Sequence, residues 1–163
     1  MLPKQSQNGF SLIELLIVVT IIGILASIAI PNLLATRRAA NEGSAMSSMR
    51  TISTCEASYQ ATFGAGNYGD LTALGTSTLT DAVLSAAVDA PRAKSGYYFV
   101  VNPIVGAPPQ FWAYALPSVT SGAGKTGTRR FAVTEDGVLR VDLTLTAPAA
   151  YAAVNPGMPP LGN

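Results

Sequence analysis

The most extended apolar pattern in the chain covers residues 10–31, FSLIELLIVVTIIGILASIAIP, and contains a single ionisable residue, Glu14. In a helix that rises about 1.5 Å per residue, about twenty apolar positions span about 30 Å, which is the thickness of the hydrocarbon core of a bilayer. The pattern therefore predicts a membrane-spanning helix.

Glu14 is costly in such a helix, because a carboxylate at mid-membrane loses hydration worth at least about 2.5 kcal/mol, and somewhat less near the end of the span. Polar residues precede Phe10 and are followed by Gly9. Glycine is small and flexible enough for a protease to hold the chain extended at this point. A cut between Gly9 and Phe10 creates an ammonium group that pairs with Glu14 of an axially shifted neighbouring copy. Such a buried pair sets the register of packed helices more than it stabilises them.

Residues 9–19, GFSLIELLIVV, followed by Gly23 and Pro31, resemble the N-terminal signature of type IV pilins and of the related pseudopilins of type II secretion. The resemblance implies cleavage after Gly9 by a prepilin peptidase, N-methylation of Phe10, and assembly into a helical filament with these helices at its core. Phe10 is then both the cleavage and the modification site, and Phe10 with Glu14 directs assembly.

The same resemblance implies a loss of helicity between Gly23 and Pro31 in the filament. The chemistry agrees, because glycine weakens a helix and proline removes a hydrogen bond to a preceding carbonyl. An ordinary single-span anchor, with Glu14 reaching the interface, is the alternative. A cleaved secretory signal is disfavoured, because the apolar run is too long and has no suitable small-x-small site.

The charges that flank the span give a weak orientation signal. Arg37 and Arg38 follow the span, whereas Lys4 and the initiator amine precede it. The positive-inside rule therefore weakly favours a cytoplasmic C-terminal side. The resemblance implies the opposite orientation, with the N-terminus in the cytoplasm, and we follow the resemblance.

After Pro31 the helical pattern resumes and predicts a helix to about Thr62, which is followed by glycines at 64, 66 and 69. One face of this helix carries an apolar stripe at spacings of three or four residues, formed by Ala45, Met49, Ile52, Cys55, Tyr59 and Phe63. We expect Cys55, the only cysteine, to be a small buried hydrophobic residue with a free thiol.

The middle of the chain carries weaker signals. Residues 67–78 are predicted to form a loop anchored by Leu71 and Leu74. Thr80 and Asp81 predict the N-cap of a short helix that ends near Val88.

Alternation with a period of two predicts strands at 97–102, 111–116, 130–134 and 138–143, the last two joined by a hairpin turn at 135–137. We expect the bulky face of the second strand, with Trp112 and Tyr114, to pack on the long helix. The predicted fold is α+β and pilin-like. A long N-terminal helix, membrane-spanning in its first half, packs against a C-terminal antiparallel sheet of about four strands.

These patterns divide the chain into four parts. A prepilin leader covers residues 1–9, the transmembrane and filament-core helix 10–31, the globular domain 32–147, and a proline-rich tail 148–163. We expect the tail to be an extended, partly disordered strap.

Composition argues against catalysis and against strong electrostatic binding. Charged residues make up 12% of the chain, the formal net charge is +1, and histidine is absent. No motif of a catalytic or phosphate-binding site is present, so we expect no enzyme and no cofactor. Nucleic-acid binding through Arg129 and Arg130 is less expected than a solvated strand end. Calcium at Glu135, Asp136 and Asp142 is less expected than a solvated hairpin tip.

Two classes of function remain. The first is a structural subunit of a type IV pilus, or of the shorter pseudopilus of a type II secretion system. The second is a monomeric, membrane-anchored binding module, which gains nothing from a carboxylate at position 14. The first class implies as partners copies of the same chain, a prepilin peptidase, the assembly machinery of the inner membrane, and lipid before assembly. It implies an inner-membrane precursor and then an extracellular pilus, or a periplasmic pseudopilus.

Overall fold

The computed structural model describes residues 10–162 of the chain. The predicted leader, including Gly9, lies outside the described residues. The helices are α1 (Leu12–Thr62), α2 (Leu71–Thr76) and α3 (Ala82–Ala86). The strands are β1 (Tyr97–Ile104), β2 (Gln110–Pro117), β3 (Arg130–Thr134) and β4 (Arg140–Asp142). Short 3₁₀ turns cover Ala90–Arg92 and Tyr151–Ala153.

The long predicted helix is confirmed. α1 is continuous over 51 residues, with Pro31 inside it, and ends where the glycine-rich segment begins. By contacts the chain divides into two compact units between Thr36 and Arg37. The described part of the first unit is helical from Leu12 onward. The second unit, residues 37–162, holds the rest of α1 and all other elements, and we call it the globular unit.

The predicted antiparallel sheet is also confirmed. The strands follow one another in the order β1-β2-β3-β4, and each neighbouring pair is antiparallel. β3 and β4 form the predicted hairpin, in which Gly137 has a positive φ of 69°. Glycine adopts this conformation without a steric penalty. β4 is shorter than the predicted strand, because only Arg140–Asp142 pair with β3.

The core forms between one face of the sheet and the apolar stripe of α1. Ala45, Met49 and Ile52 are fully buried, and they belong to one cluster with the three phenylalanines Phe99, Phe111 and Phe131. The stripe prediction fails at its end, where Phe63 is 61% exposed. α1 ends at Thr62, so Phe63 no longer follows the helical direction that buries the stripe.

The predicted orientation of β2 is wrong. Ala113 and Ala115 are fully buried in the cluster with α1, whereas Trp112 and Tyr114 lie on the opposite face. The register explains this arrangement, because Ala115 lies directly between Phe99 of β1 and Phe131 of β3. Two phenylalanines beside a small residue fill the space under the helix, so a bulky residue on β2 is not needed there.

The C-terminal segment is not an extended strap. Val154 and Met158 are fully buried against Ala132, with Trp112 and Tyr114 packed beside them. Its backbone also bonds to residues near the edge strand. The Val141 amide donates to the Pro159 carbonyl at 3.0 Å, and the Leu161 amide donates to the Leu139 carbonyl at 2.8 Å. The segment therefore covers the second face of the sheet.

The predicted loop at 67–78 contains the helix α2. The Asp70 carboxylate accepts a hydrogen bond from the Ala73 amide at 2.7 Å and caps this helix, while Leu71 and Leu74 are buried as expected. An N-cap followed by two leucines three residues apart is the signal of one amphipathic turn. The predicted cap of α3 is confirmed, because Asp81 accepts from the Leu84 amide at 2.8 Å.

Candidate assembly segment

The N-terminal part of α1 presents an uninterrupted apolar surface. Every large apolar side chain from Phe10 to Leu33 is exposed, with exposed fractions between 48% and 88%. α1 is the one helix in the described part of the chain that is long and apolar enough to cross a membrane, judged by length and composition. An apolar surface of this extent needs lipid or other protein to cover it.

Polar side chains within the span hydrogen-bond to their own helix. The Thr20 hydroxyl donates to the Leu16 carbonyl, and the Ser27 hydroxyl donates to the Ile24 carbonyl, each at 2.7 Å. These bonds satisfy the hydroxyl groups without water, as the interior of a membrane requires. Glu14 differs from these two residues, because its carboxylate can accept further hydrogen bonds.

Glu14 takes part in a local contact at the start of α1. The Ser11 amide donates to Oε2 of Glu14 at 3.0 Å, and Ser11 directly precedes the helix. This is one half of a capping box, in which a glutamate in the first turn bonds back to the cap residue. This contact was not among the predictions, although the Ser-x-x-Glu spacing signals it. Among the described residues, the other oxygen of Glu14 has no donor, and the side chain is exposed.

Gly23 and Pro31, the two positions predicted to weaken the helix, both lie in continuous helix. A Cβ atom added at Gly23 meets no atom within 4 Å, so nothing in the described chain requires glycine there. Pro31 has no amide hydrogen, which leaves the Ser27 carbonyl without its usual helical partner. Both positions keep the segment easier to unwind, and its loss of helicity in a filament stays a prediction.

The acidic side chains of the β3–β4 hairpin have internal partners. Asp136 pairs with Arg140 at 2.7 Å and also accepts from Thr134 and Val138. Burial raises the pKa of Asp136, but these hydrogen bonds outweigh it and lower the pKa overall. No group of three or more potential metal ligands occurs within residues 10–162.

Each of the two remaining acidic side chains of this region has its own partner. Asp142 pairs with Arg130 at 2.7 Å, and Glu135 accepts from the Tyr151 hydroxyl. The arrangement is therefore that of internal pairs around the hairpin, and its tip at 136–138 is exposed, in agreement with the expectation of a solvated tip.

The two adjacent arginines, Arg129 and Arg130, also have partners within the chain. Arg129 pairs with Glu42 of α1 at 2.8 Å, and Arg130 donates to the Thr146 carbonyl at 2.6 Å in addition to its pair with Asp142. Glu42 further accepts from the amide and the hydroxyl of Thr128, each at 2.7 Å. The expectation of a solvated strand end is wrong for Arg130, which is buried, whereas Arg129 is partly exposed although it is paired.

Glu56 is a buried carboxyl group that was not predicted from the sequence. It is 0% exposed, its Oε2 accepts from the Gly69 amide at 3.1 Å, and its Oε1 has no partner among the described residues. Burial, with a smaller contribution from the charge of Asp70, raises the pKa of Glu56 to about 7. Glu56 lies four residues after Ile52 and three before Tyr59. This spacing places it on the apolar face of the helix and was the signal available in the sequence.

Cys55 is buried, as expected, and its thiol is free. The thiol donates to the Leu79 carbonyl at 2.9 Å. Burial raises the pKa of Cys55, and the neighbouring Glu56 raises it further. A thiol with these surroundings reacts slowly, because the reactive form is the thiolate.

Residues 4–30 match the family described as the prokaryotic N-terminal methylation motif. The match includes Gly9, Phe10, Glu14 and Gly23. It therefore supports the resemblance on which the predictions for the N-terminal segment rest.

Three relatives match part of the chain. The type IV wide pilus major component of Thermus thermophilus is 60% identical over 38 residues, which are 23% of this chain and 29% of that protein. The type II secretion system core protein G of Aeromonas hydrophila is 41% identical over 46 residues, 28% of this chain and 32% of that protein. The type IV major pilin protein of Myxococcus xanthus is 45% identical over 52 residues, 32% of this chain and 24% of that protein.

The chain thus spans about a quarter to a third of the length of these curated relatives. No solved structure matches the chain. The chain thus carries the prokaryotic N-terminal methylation motif at residues 4–30, is similar over 38 to 52 residues to type IV pilins and to a type II secretion core protein, and has a pilin-like α+β architecture.

Proposed function

We propose that the chain is the structural subunit of a helical type IV pilus filament, made as a precursor and assembled through the N-terminal part of α1. The observation that carries the proposal is Glu14. It stands at a fixed spacing after Gly9 and Phe10, at the start of a helix whose large apolar side chains up to Leu33 are exposed. A monomeric anchor has no use for a carboxylate at this position.

The proposed maturation removes residues 1–9 as a leader. A prepilin peptidase cuts after Gly9, and Phe10 becomes the N-methylated first residue of the mature chain. In this scheme residues 10–31 form the transmembrane helix and then the filament core, and the rest of the chain supplies the fold and the filament surface. The precursor resides in the inner membrane, and the mature subunit in an extracellular filament.

Assembly then depends on the Phe10 ammonium group and the Glu14 carboxylate. In lipid the span is already surrounded by apolar tails, so hydrophobicity alone gives its helices little drive to associate. A polar pair between copies supplies that drive and fixes one axial offset. Glu14 has one oxygen without a donor among the described residues, so it can accept the ammonium of an incoming copy while Ser11 still bonds to it.

A pseudopilin of a type II secretion system is the second candidate. The match to core protein G of Aeromonas hydrophila favours it, since that protein is 41% identical to this chain over 46 residues. Processing, methylation and the role of Glu14 are the same in both proposals. The difference lies in the final location, which is periplasmic for a pseudopilus.

Electron microscopy of material sheared from the cell surface, with mass spectrometry of its main protein band, tests the proposal. We expect filaments whose subunit begins at Phe10 and carries one additional methyl group. Recovery of the chain only from the membrane fraction, with residues 1–9 still attached, would contradict the proposal.

A further inference from the structure

A groove lies between the C-terminal end of α1 and one side of α2. Its volume is about 480 Å³, within the range of about 300–1,000 Å³ that is usual for small-molecule sites. Tyr59 and Phe63 line it at the end of α1, and Asp70 with residues of α2 lines the other side. Phe63 is 61% exposed, so the core of the globular unit does not account for this ring.

The rings of Tyr59 and Phe63 form one wall of the groove. Their centroids are 6.3 Å apart, and their planes are tilted by 32°. The glycine-rich segment after α1 packs directly on the Tyr59 ring, because a Cβ atom would lie 3.0 Å from the ring at Gly64 and 2.9 Å from it at Gly69. Bare backbone therefore holds this ring in place. An aromatic face attracts a cation that lies within about 6 Å of its centroid.

The polar atoms of the other wall are mainly hydrogen-bond acceptors. One oxygen of Asp70 accepts from the Ala73 amide at 2.7 Å, and the other has no partner among the described residues. The Thr76 hydroxyl donates to the Thr72 carbonyl at 2.9 Å. The Ser77 hydroxyl donates to the Ala73 carbonyl at 2.8 Å. Since both hydroxyl hydrogens are used, these two oxygens remain available only as acceptors.

The groove also carries an uncompensated negative charge. Asp70 is exposed, and it is the charged side chain among the described residues that line the groove. It forms no ion pair within residues 10–162. Its charge acts on the interior as well. Besides burial, which is the larger cause, the charge of Asp70 raises the pKa of Glu56.

We propose that the groove binds a primary alkylammonium group. The carbon chain of this ligand lies on the rings of Tyr59 and Phe63, and its ammonium group donates hydrogen bonds to Asp70. An ammonium group carries only hydrogen-bond donors, so it complements a wall of acceptors. Asp70 repels an anion, and a neutral alcohol lacks the charge that attracts the rings and the carboxylate. The inference goes beyond the proposed filament function and does not rest on it, because it uses only contacts of the globular unit.

Titration of the full chain in a non-ionic detergent, followed by nuclear magnetic resonance at low ionic strength, tests the inference. The probes are butylammonium, which has the shape of a lysine side chain, and its neutral counterpart butanol. The amide signals of Gly69 and Ala73 report on the groove. We expect saturable binding of butylammonium at millimolar concentration and binding of butanol that is weaker on the order of tenfold.

Two substitutions separate the carboxylate from the rings. Asp70→Asn removes the charge and keeps an oxygen that caps α2, and Phe63→Ala removes an exposed ring. Each should weaken the binding of butylammonium about two- to fivefold. Val105→Ala is the matched control, because Val105 is 80% exposed and lies outside the groove, and its affinity should equal that of wild type. Unchanged Trp112 fluorescence shows that each variant is folded.

Two outcomes overturn the inference. Equal binding of butanol and butylammonium would show an apolar cleft that does not select a cation. Wild-type affinity in both Asp70→Asn and Phe63→Ala would place the bound ammonium elsewhere on the chain.

A lysine side chain of a protein partner and a free polyamine both offer this chemistry, and a further pair of probes distinguishes them. The probes are cadaverine and a lysine residue that is blocked at both backbone ends. Tighter binding of cadaverine would identify a polyamine as the ligand, and tighter binding of the blocked lysine would identify a protein side chain. Binding of neither would contradict the inference.

Discussion

Glu56 makes the stability of the globular unit depend on pH in the direction opposite to that of most carboxylates. Its pKa is about 7 in the folded chain and has the ordinary value of 4.5 when exposed. Between these values the unfolded chain releases a proton that the folded chain retains. Stability from this group is therefore fully present below pH 4.5 and is lost as pH rises to about 7.

The size of the effect follows from the two pKa values. Between pH 4.5 and pH 7 the free energy of unfolding falls by about 1.36 kcal/mol for each pH unit. The loss from Glu56 is therefore about 3 kcal/mol at pH 7. Glu56→Gln removes the titration and keeps an oxygen that accepts from the Gly69 amide. The free energy of unfolding of this variant, minus that of wild type, should rise by about 3 kcal/mol between pH 4.5 and pH 7.5.

Urea unfolding of the full mature chain in detergent measures this difference. Trp112, the only tryptophan, packs between the sheet and the C-terminal segment and reports on the globular unit. All other titrating groups cancel in the comparison between variant and wild type. Asp89→Asn is a control without titration in this range, because the hydrogen bond from Arg92 lowers the pKa of Asp89 below its ordinary value of 3.8, so its difference from wild type should stay nearly constant between pH 4.5 and pH 7.5. Equal pH dependence of Glu56→Gln and wild type would refute the reasoning.

Three further predictions follow from the packing of the globular unit. Cys55 should react slowly with a thiol reagent in the folded chain and rapidly in urea, and a disulfide-linked dimer as the main species would contradict its burial. Glu42→Ala should destabilise the unit by about 1–2 kcal/mol, because it removes the shared hydrogen-bond partner of Arg129 and Thr128, which are then partly solvated; unchanged hydrogen exchange at the Thr128 amide would argue against this role. Met158→Ala should cost about 2–5 kcal/mol and shift Trp112 fluorescence to the red as the C-terminal segment loosens, and a spectrum identical to that of wild type would show that the segment is not held by Met158.

Local patterns predicted the long helix and the strands, because their signals are contained within a few neighbouring residues. The stripe from Ala45 to Cys55 has the helical period, and the hairpin at Gly137 has the required turn residue. Which face of β2 packs on α1 could not be predicted in this way. It depends on Phe99 and Phe131, which lie 16 residues away on either side and become neighbours of Ala115 only through strand pairing.

The missed interactions share one cause, namely that their partners are set by tertiary structure. Glu56 is buried because α2 and the segment before it cover that part of α1, which the sequence shows only as a polar residue on the apolar face. The docking of Val154 and Met158 requires the second face of the sheet, which does not exist before the strands pair. Ser11 and Glu14 are the exception, because their contact is local and its spacing was visible.

The central claim is that Glu14 directs assembly, and its substitution tests the claim most directly. Glu14→Val removes the costly carboxylate, so the span should insert in the membrane at least as well as in wild type. Glu14→Gln keeps the size and removes the charge. Both variants are compared with wild type for membrane-bound subunit and for sheared filaments, in a strain with no other pilin. We predict normal membrane-bound subunit and a loss of filaments in both, whereas a normal filament yield from Glu14→Val would contradict the charge-pairing mechanism.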